Sequence, residues 1–413
     1  MKSRLFLIAC LFFSQDLFAE KFKGYVWDVS DRGLVVEGVP VALTERVRFE
    51  RSNQKNVTVR DLRIGLEVEV EGKRGREAFL AEKIKIKNKR FEEVDLEGFI
   101  TGVQGSEIEV GARRVLLPKE LTPAEPLRAG MQIDGKGIVQ DDGWIQVKEA
   151  RFKPAGFDSE EARFMALVSQ EVTEMKEKLP RLEDPALQDY VAGVGESLIP
   201  DWVNREELPF NFTVIQDDSL NAFALPDGTV VVHTGLLRVL ENEAQFATVL
   251  GHEIAHATNR HGYRGYQHQS KMMWVQLAAI AGGVVVGTKT DSPLAGILTS
   301  LGSSLTLSAI VNGHGRDLED EADRVGLEYM VDAGYDPFQA PQVWKVFNQQ
   351  TGDQSSVTNF FFSDHSTHRA RISNLTREIN TRYRGKIDAA KTKDNRERYQ
   401  QAIAGLKAPA ESR

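Results

Sequence analysis

Leu250-Gly251-His252-Glu253-Ile254-Ala255-His256-Ala257 sits in the second half of a 413-residue chain. The apolar positions around it, from Leu240 to Asn259, recur with helical period. Residues four apart share one helix face, so His252 and His256 project together. Two imidazoles so placed can converge on one zinc ion. Glu253, next to the first of them, can reach a water at that ion and act as its base. Leu250, Ile254, Ala255 and Ala257 mark a buried helix. A pair of histidines there with no common partner would leave buried polar groups unsatisfied.

A catalytic zinc needs a third protein ligand and one open position. Arg316-Asp317-Leu318-Glu319-Asp320-Glu321-Ala322-Asp323 supplies a candidate. On a helix Glu319 and Asp323 share a face. Glu319 can bind metal, and Asp323 can accept a hydrogen bond from a ligand imidazole and fix its tautomer. Gly334, followed by Tyr335-Asp336-Pro337, predicts the end of that helix. Upstream, Asp158 with Glu161 predicts a capping box opening a helix through about Leu179. A second helix is expected after Asp184-Pro185, and strands over Phe210–Ile215 and Gly228–Val232.

HExxH followed by a Glu-x-x-Ala-Asp helix that ends in Ala-Gly-Tyr-Asp-Pro resembles peptidase family M48. These are gluzincin zinc metallopeptidases that include the HtpX, Oma and BepA types. Asp184–Val191, Asn221–Leu237 and Asp364–Ile372 resemble further family segments. The resemblance spans about 158–385 and implies an endopeptidase. It implies one zinc per chain, held by His252, His256 and Glu319, with Glu253 as base and Asp323 supporting a ligand. His365 aligns with a family histidine near the metal, although Ser366 replaces the usual proline and leaves His368 as an alternative. Arg371 would pair with acidic neighbours or orient the site. His261 is expected at the surface or in a second layer. Val230, Val231 and Val232 are expected either to form an edge strand that pairs with extended substrate or to be plain core. The implied substrate is unfolded or misassembled polypeptide. A latent, chaperone-like binder with His365 closing the site is the alternative.

Residues 22 to 153 instead alternate apolar and polar positions in short runs broken by glycine, the strand pattern. Leu62-Arg63-Ile64-Gly65 repeats as Leu127-Arg128-Ala129-Gly130, and Gly24-Tyr25-Val26 as Gly98-Phe99-Ile100. The offsets differ, so the first copy is the longer. Two small β-barrel-like modules in tandem, of possible OB type, are expected. The fold class is therefore α+β and multidomain, the modules preceding a mostly helical gluzincin domain with a small sheet. Expected boundaries are 1–19, 20–90, 91–156, 157–385 and a charged, solvated tail over 386–413.

Lys2 and Arg4, then an apolar run from Leu5 to Phe13, then Leu17-Phe18-Ala19, form a secretory signal pattern. It predicts export, most simply to a periplasm. Cys10, the chain's one cysteine, offers a lipoprotein reading instead. One cysteine excludes an internal disulfide or thiolate zinc knuckle. The net charge is −8, and Glu20–Phe157 carries 25 Lys/Arg against 24 Asp/Glu. That balance argues against nucleic acid as a partner. The nearly uncharged stretches 272–287 and 294–311 are read as buried helices, or as a peripheral membrane contact. Oligomeric state is not readable.

Overall fold

The computed structural model describes residues 20–30, 33–52, 54–63, 66–87, 93–140, 143–267, 315–351, 368–384, 387–388 and 391–406. The expected signal segment with Cys10, the stretches 272–287 and 294–311, and His365 lie outside them. No helix among the described residues is long and apolar enough to cross a membrane. Two compact units divide the chain at Lys89/Arg90.

The first unit is a closed barrel of β1 (Glu20–Ser30), β2 (Gly33–Val36), β3 (Val39–Arg51), β4 (Glu67–Arg74) and β5 (Phe79–Ile86), in the order β1-β2-β3-β5-β4. Val26, Val36, Val68, Val70, Ile84 and Ile86 fill it and are fully buried. The alternate positions face water. On this side of the barrel Lys83 pairs with Glu50 at 3.0 Å and Lys87 with Glu69 at 2.6 Å.

The second unit opens with a barrel of β6 (Glu93–Gln104), β7 (Glu107–Val110), β8 (Arg113–Leu116), β9 (Gln132–Val139) and β10 (Ile145–Lys153). Its pairing repeats that of the first barrel: first strand to second and fourth, third to fifth in parallel. The internal repeat is physical. Val26 N–H donates to Leu66 O at 2.9 Å, and Ile100 N–H to Met131 O at 2.8 Å. Leu66 N–H closes a turn onto Arg63 O as Met131 N–H does onto Arg128 O. The extra length of the first copy lies largely in β3, which has 13 residues where β8 has 4.

The remainder is helical around a small sheet. α1 (Ser159–Lys178) and α2 (Pro185–Glu196) precede β11 (Asn211–Ile215), β12 (Ala222–Ala224) and β13 (Thr229–His233). α3 (Thr234–Val239), α4 (Glu243–Thr258), α5 (Arg316–Asp332), α6 (Ala340–Thr351), α7 (His368–Glu378) and α8 (Arg396–Ile403) follow. Asp158 caps α1 by accepting the N–H groups of Glu160 and Glu161. Glu161 does not complete a capping box; it is buried and pairs with Arg260 instead. The helix expected over 240–259 is α4, which starts slightly later, at Glu243. Asn242 caps it by accepting the N–H of Gln245 at 2.9 Å.

The tail needs a larger correction. α8 is not a fraying solvated helix. Tyr399 is fully buried beside Phe246 and Tyr190, and its hydroxyl donates to Leu237 O at 2.6 Å. Asn395 and Arg398 both reach the buried carboxylate of Glu243. The tail's charges mask one apolar anchor and answer an acid in the core, so composition alone misreads it. Tyr399→Ala is expected to cost about 3–5 kcal/mol, measured by urea unfolding of the full chain.

Candidate metal centre

α4 is buried along its whole length, and it crosses α5 backbone to backbone. A Cβ at Gly251 would lie 2.8 Å from the carbonyl oxygen of Gly326, and one at Gly326 would lie 2.7 Å from the carbonyl carbon of Gly251. Only glycine on both sides permits this approach. His252 and His256 follow the crossing on α4, and Glu319 precedes it by about two turns on α5. The three side chains therefore meet.

His252 Nε2 and His256 Nε2 face each other at 2.9 Å. Glu319 places Oε2 at 3.4 Å from the first and Oε1 at 3.3 Å from the second. All three side chains are buried, and their donor atoms lie within 4.8 Å of one another. Two imidazoles and a carboxylate are a set that suits zinc. The surroundings also favour positive charge between the rings. Burial and the charge of Arg371 push His252 down, yet hydrogen bonds to Asp323 and Glu319 outweigh them and hold it at about 9.

Asp323 sits behind the first ligand, with Oδ1 at 3.1 Å from His252 Nδ1. Arg371 Nε donates to Asp323 Oδ2 at 2.8 Å, and its second nitrogen to Oδ1. The guanidinium lies 3.5 Å over the Trp344 ring. Burial pushes the Asp323 carboxyl up, but the charge of Arg371 and the His252 hydrogen bond hold it below the usual range. Glu253 is buried as well, and burial raises it to about 7. Its Oε2 accepts the N–H of Ala224, on β12, at 3.0 Å.

The structure thus brings together His252, His256, Glu319, Glu253, Asp323 and Arg371. It does not bring in Val230, Val231 and Val232 as an edge. They lie on β13, the central strand of β11-β13-β12, paired on both sides and fully buried. β11 and β12 are the edges of this sheet, and β12 is the one that reaches Glu253. Leu225 N–H donates to Thr229 O and His233 N–H to Asn221 O, so by antiparallel alternation the backbone groups of Ala222 and Ala224 face outward. Of the two readings the sequence offered, plain core is the one that holds: they are hydrophobic because both faces of the strand are covered. His365 is outside the described residues, and His368 opens α7.

Sequence reasoning missed two features and left a third, His261, open between surface and second layer. The glycine pair carries no spacing signal because its members are far apart in the chain. Trp344 sits on a helix that reads as ordinary. His261 follows a turn in which Arg260 takes φ +54°, so helical periodicity could not place it. It is fully buried with Nδ1 at 2.9 Å from Nδ1 of His256.

Residues 185–379 match Peptidase family M48. The resemblance read from the motifs therefore holds for the C-terminal part of the chain. A Yersinia pestis protein named beta-barrel assembly-enhancing protease is 32% identical over 195 residues, covering 46% of this chain and 38% of the relative. Its Escherichia coli K12 namesake is 32% identical over 188 residues, 46% of this chain and 37% of the relative. The mitochondrial metalloendopeptidase OMA1 of Arabidopsis thaliana is 34% identical over 148 residues, 36% of this chain and 28% of the relative. The chain spans less than two fifths of the length of these three curated relatives. None of the M48 match falls on the barrels.

Two outcomes follow from the M48 geometry. Gly326→Ala forces α4 and α5 apart; it is expected to cost about 1–3 kcal/mol and to weaken zinc retention on dialysis, read by metal analysis. Asp323→Asn is expected to weaken zinc binding about 10–100-fold in a chelator competition.

Proposed function

We propose that this chain is an exported zinc-dependent endopeptidase of the gluzincin type that cleaves misfolded or misassembled proteins of the cell envelope. The observation that carries the reading is the convergence of His252, His256 and Glu319 next to a Glu253 that is tied to an open strand edge. The signal pattern of residues 1–19 supports a periplasmic location. The names of the relatives, a beta-barrel assembly-enhancing protease among them, support proteolysis in the envelope.

One zinc, held by His252, His256 and Glu319, would polarise the scissile carbonyl and acidify the attacking water. The chain's own residues do the rest. An extended polypeptide adds to the outward backbone groups of Ala222 and to the carbonyl of Ala224 on β12, and main-chain pairing selects conformation rather than sequence. Unfolded segments meet that requirement and folded ones do not. The Ala224 N–H fixes the Glu253 carboxylate beside this edge. A carboxyl poised near neutrality can take the proton of the water and return it to the leaving amine. Asp323, clamped by Arg371, holds His252 in one orientation. Arg371 is itself buried, so its part is to orient.

The strand order of each barrel, first-second-third-fifth-fourth, supports an OB-like assignment. Their near-neutral charge favours protein docking over nucleic acid. Glu253→Gln is expected to keep one zinc per chain and its fold while casein cleavage falls roughly 100- to 10,000-fold. Undiminished cleavage by the purified variant would remove Glu253 from the mechanism.

A further inference from the structure

The second ligand imidazole is backed by a chain of groups that leads out of the M48 segment. His256 Nδ1 meets His261 Nδ1 at 2.9 Å. His261 Nε2 lies 3.7 Å from Glu321 Oε2. Glu321 sits on α5 two residues beyond Glu319, is buried, and receives Arg264 Nη1 at 3.0 Å. Among the described residues its Oε1 has no hydrogen-bond partner. It lies against the second barrel, where a Cβ on Gly111 would be 3.1 Å, and one on Gly98 3.2 Å, from Glu321 Oε1. Gly111 has φ +52°, and its carbonyl accepts Arg324 Nε of α5 at 3.3 Å.

More of the same face is fixed by charge. Arg264 also reaches Glu97 of β6 at 3.5 Å. Arg382 donates to the carbonyl of Ala112 and to Glu109 of β7, the latter at 3.0 Å. Arg260 lies 4.7 Å over Phe99 of the same barrel. A barrel that were only a tethered module would not need two glycines cut away beneath one buried carboxylate of the ligand helix.

Resting on the zinc-peptidase reading, we infer that His261 and Glu321 are positioning residues for the His256 imidazole, and that the second barrel sets them by closing over Glu321 at Gly98 and Gly111. The barrel is then a working part of the metal centre. Its strands, 93–153, precede the family match at 185–379, so this support comes from outside the matched segment. A metal-bound histidine needs its second nitrogen held to fix tautomer and ring angle. Here that hold passes from His261 to Glu321 and on to the barrel.

The test uses the purified full chain, zinc affinity by chelator competition, and the visible absorption of the cobalt-substituted protein. Folding is checked for every variant by circular dichroism. His261→Phe is expected to weaken zinc about 10–100-fold and to alter the cobalt spectrum. His261→Gln, which can still hydrogen-bond to His256, is expected to recover part of that loss. Gly111→Ala presses on Glu321 from the barrel and leaves every residue of the peptidase domain as it is, and is expected to weaken zinc several-fold and shift the cobalt bands the same way. Wild-type affinity and spectrum in folded His261→Phe, or in folded Glu321→Gln if the Phe variant does not fold, overturn the relay. A loss in His261→Phe with no change in Gly111→Ala overturns the barrel's part. A wild-type chain that binds no zinc, or binds it undiminished in His252→Ala, instead defeats the metal reading beneath it.

Discussion

The crossing of α4 and α5 at Gly251 and Gly326 is the constraint on which the rest depends. Interhelical distance is normally set by the side chains at the contact, at about 8–10 Å. Removing both side chains lets the backbones touch. That contact fixes how far Glu319 stands from the two imidazoles. A centre built from one helix supplies two ligands at fixed spacing for free; the third must come from elsewhere, and its placement is a packing problem. The apolar core around the crossing, with Leu250, Ile254, Ala322 and Val325 all fully buried, keeps the answer rigid.

Around this centre the polar groups come in closed sets. Asp323 serves His252 and is itself held by Arg371, which is stacked on Trp344. Glu243 takes Tyr190, Tyr335, Asn395 and Arg398 at the start of the same helix. Buried charges are tolerable only where each is paired and hydrogen-bonded. The acidic balance of the back half is partly this internal bookkeeping of ion pairs, and partly solvated surface. The tail joins it through α8, which is why a charged C-terminal stretch ends up as part of the core.

The architecture divides the chain into a first barrel that is a unit by itself and a second barrel that shares a unit with the peptidase domain. The two barrels repeat one pairing scheme. In the second, Gly98 and Gly111 stand opposite a buried carboxylate of α5.

By itself the sequence determined the features written in local periodicity. The HExxH helix, the stop at Gly334, the two strand-rich repeats and the acidic ligand helix were all legible, because each rests on spacing within a single element. That Glu319 and Asp323 face the same way was legible for the same reason, since they share one turn. What sequence could not decide was every relation between elements. Val230–Val232 could be read as an edge or as core, because a hydrophobic run looks the same whether its strand lies in the middle of a sheet or at its border; only the order β11-β13-β12 puts them in the centre. His261 could be read as surface or as a second layer until the turn at Arg260 placed it, fully buried, beside His256. Spacing along a chain sets which side chains share a face, while the crossing of two glycines and the docking of a barrel set which faces meet, and those are properties of packing in three dimensions.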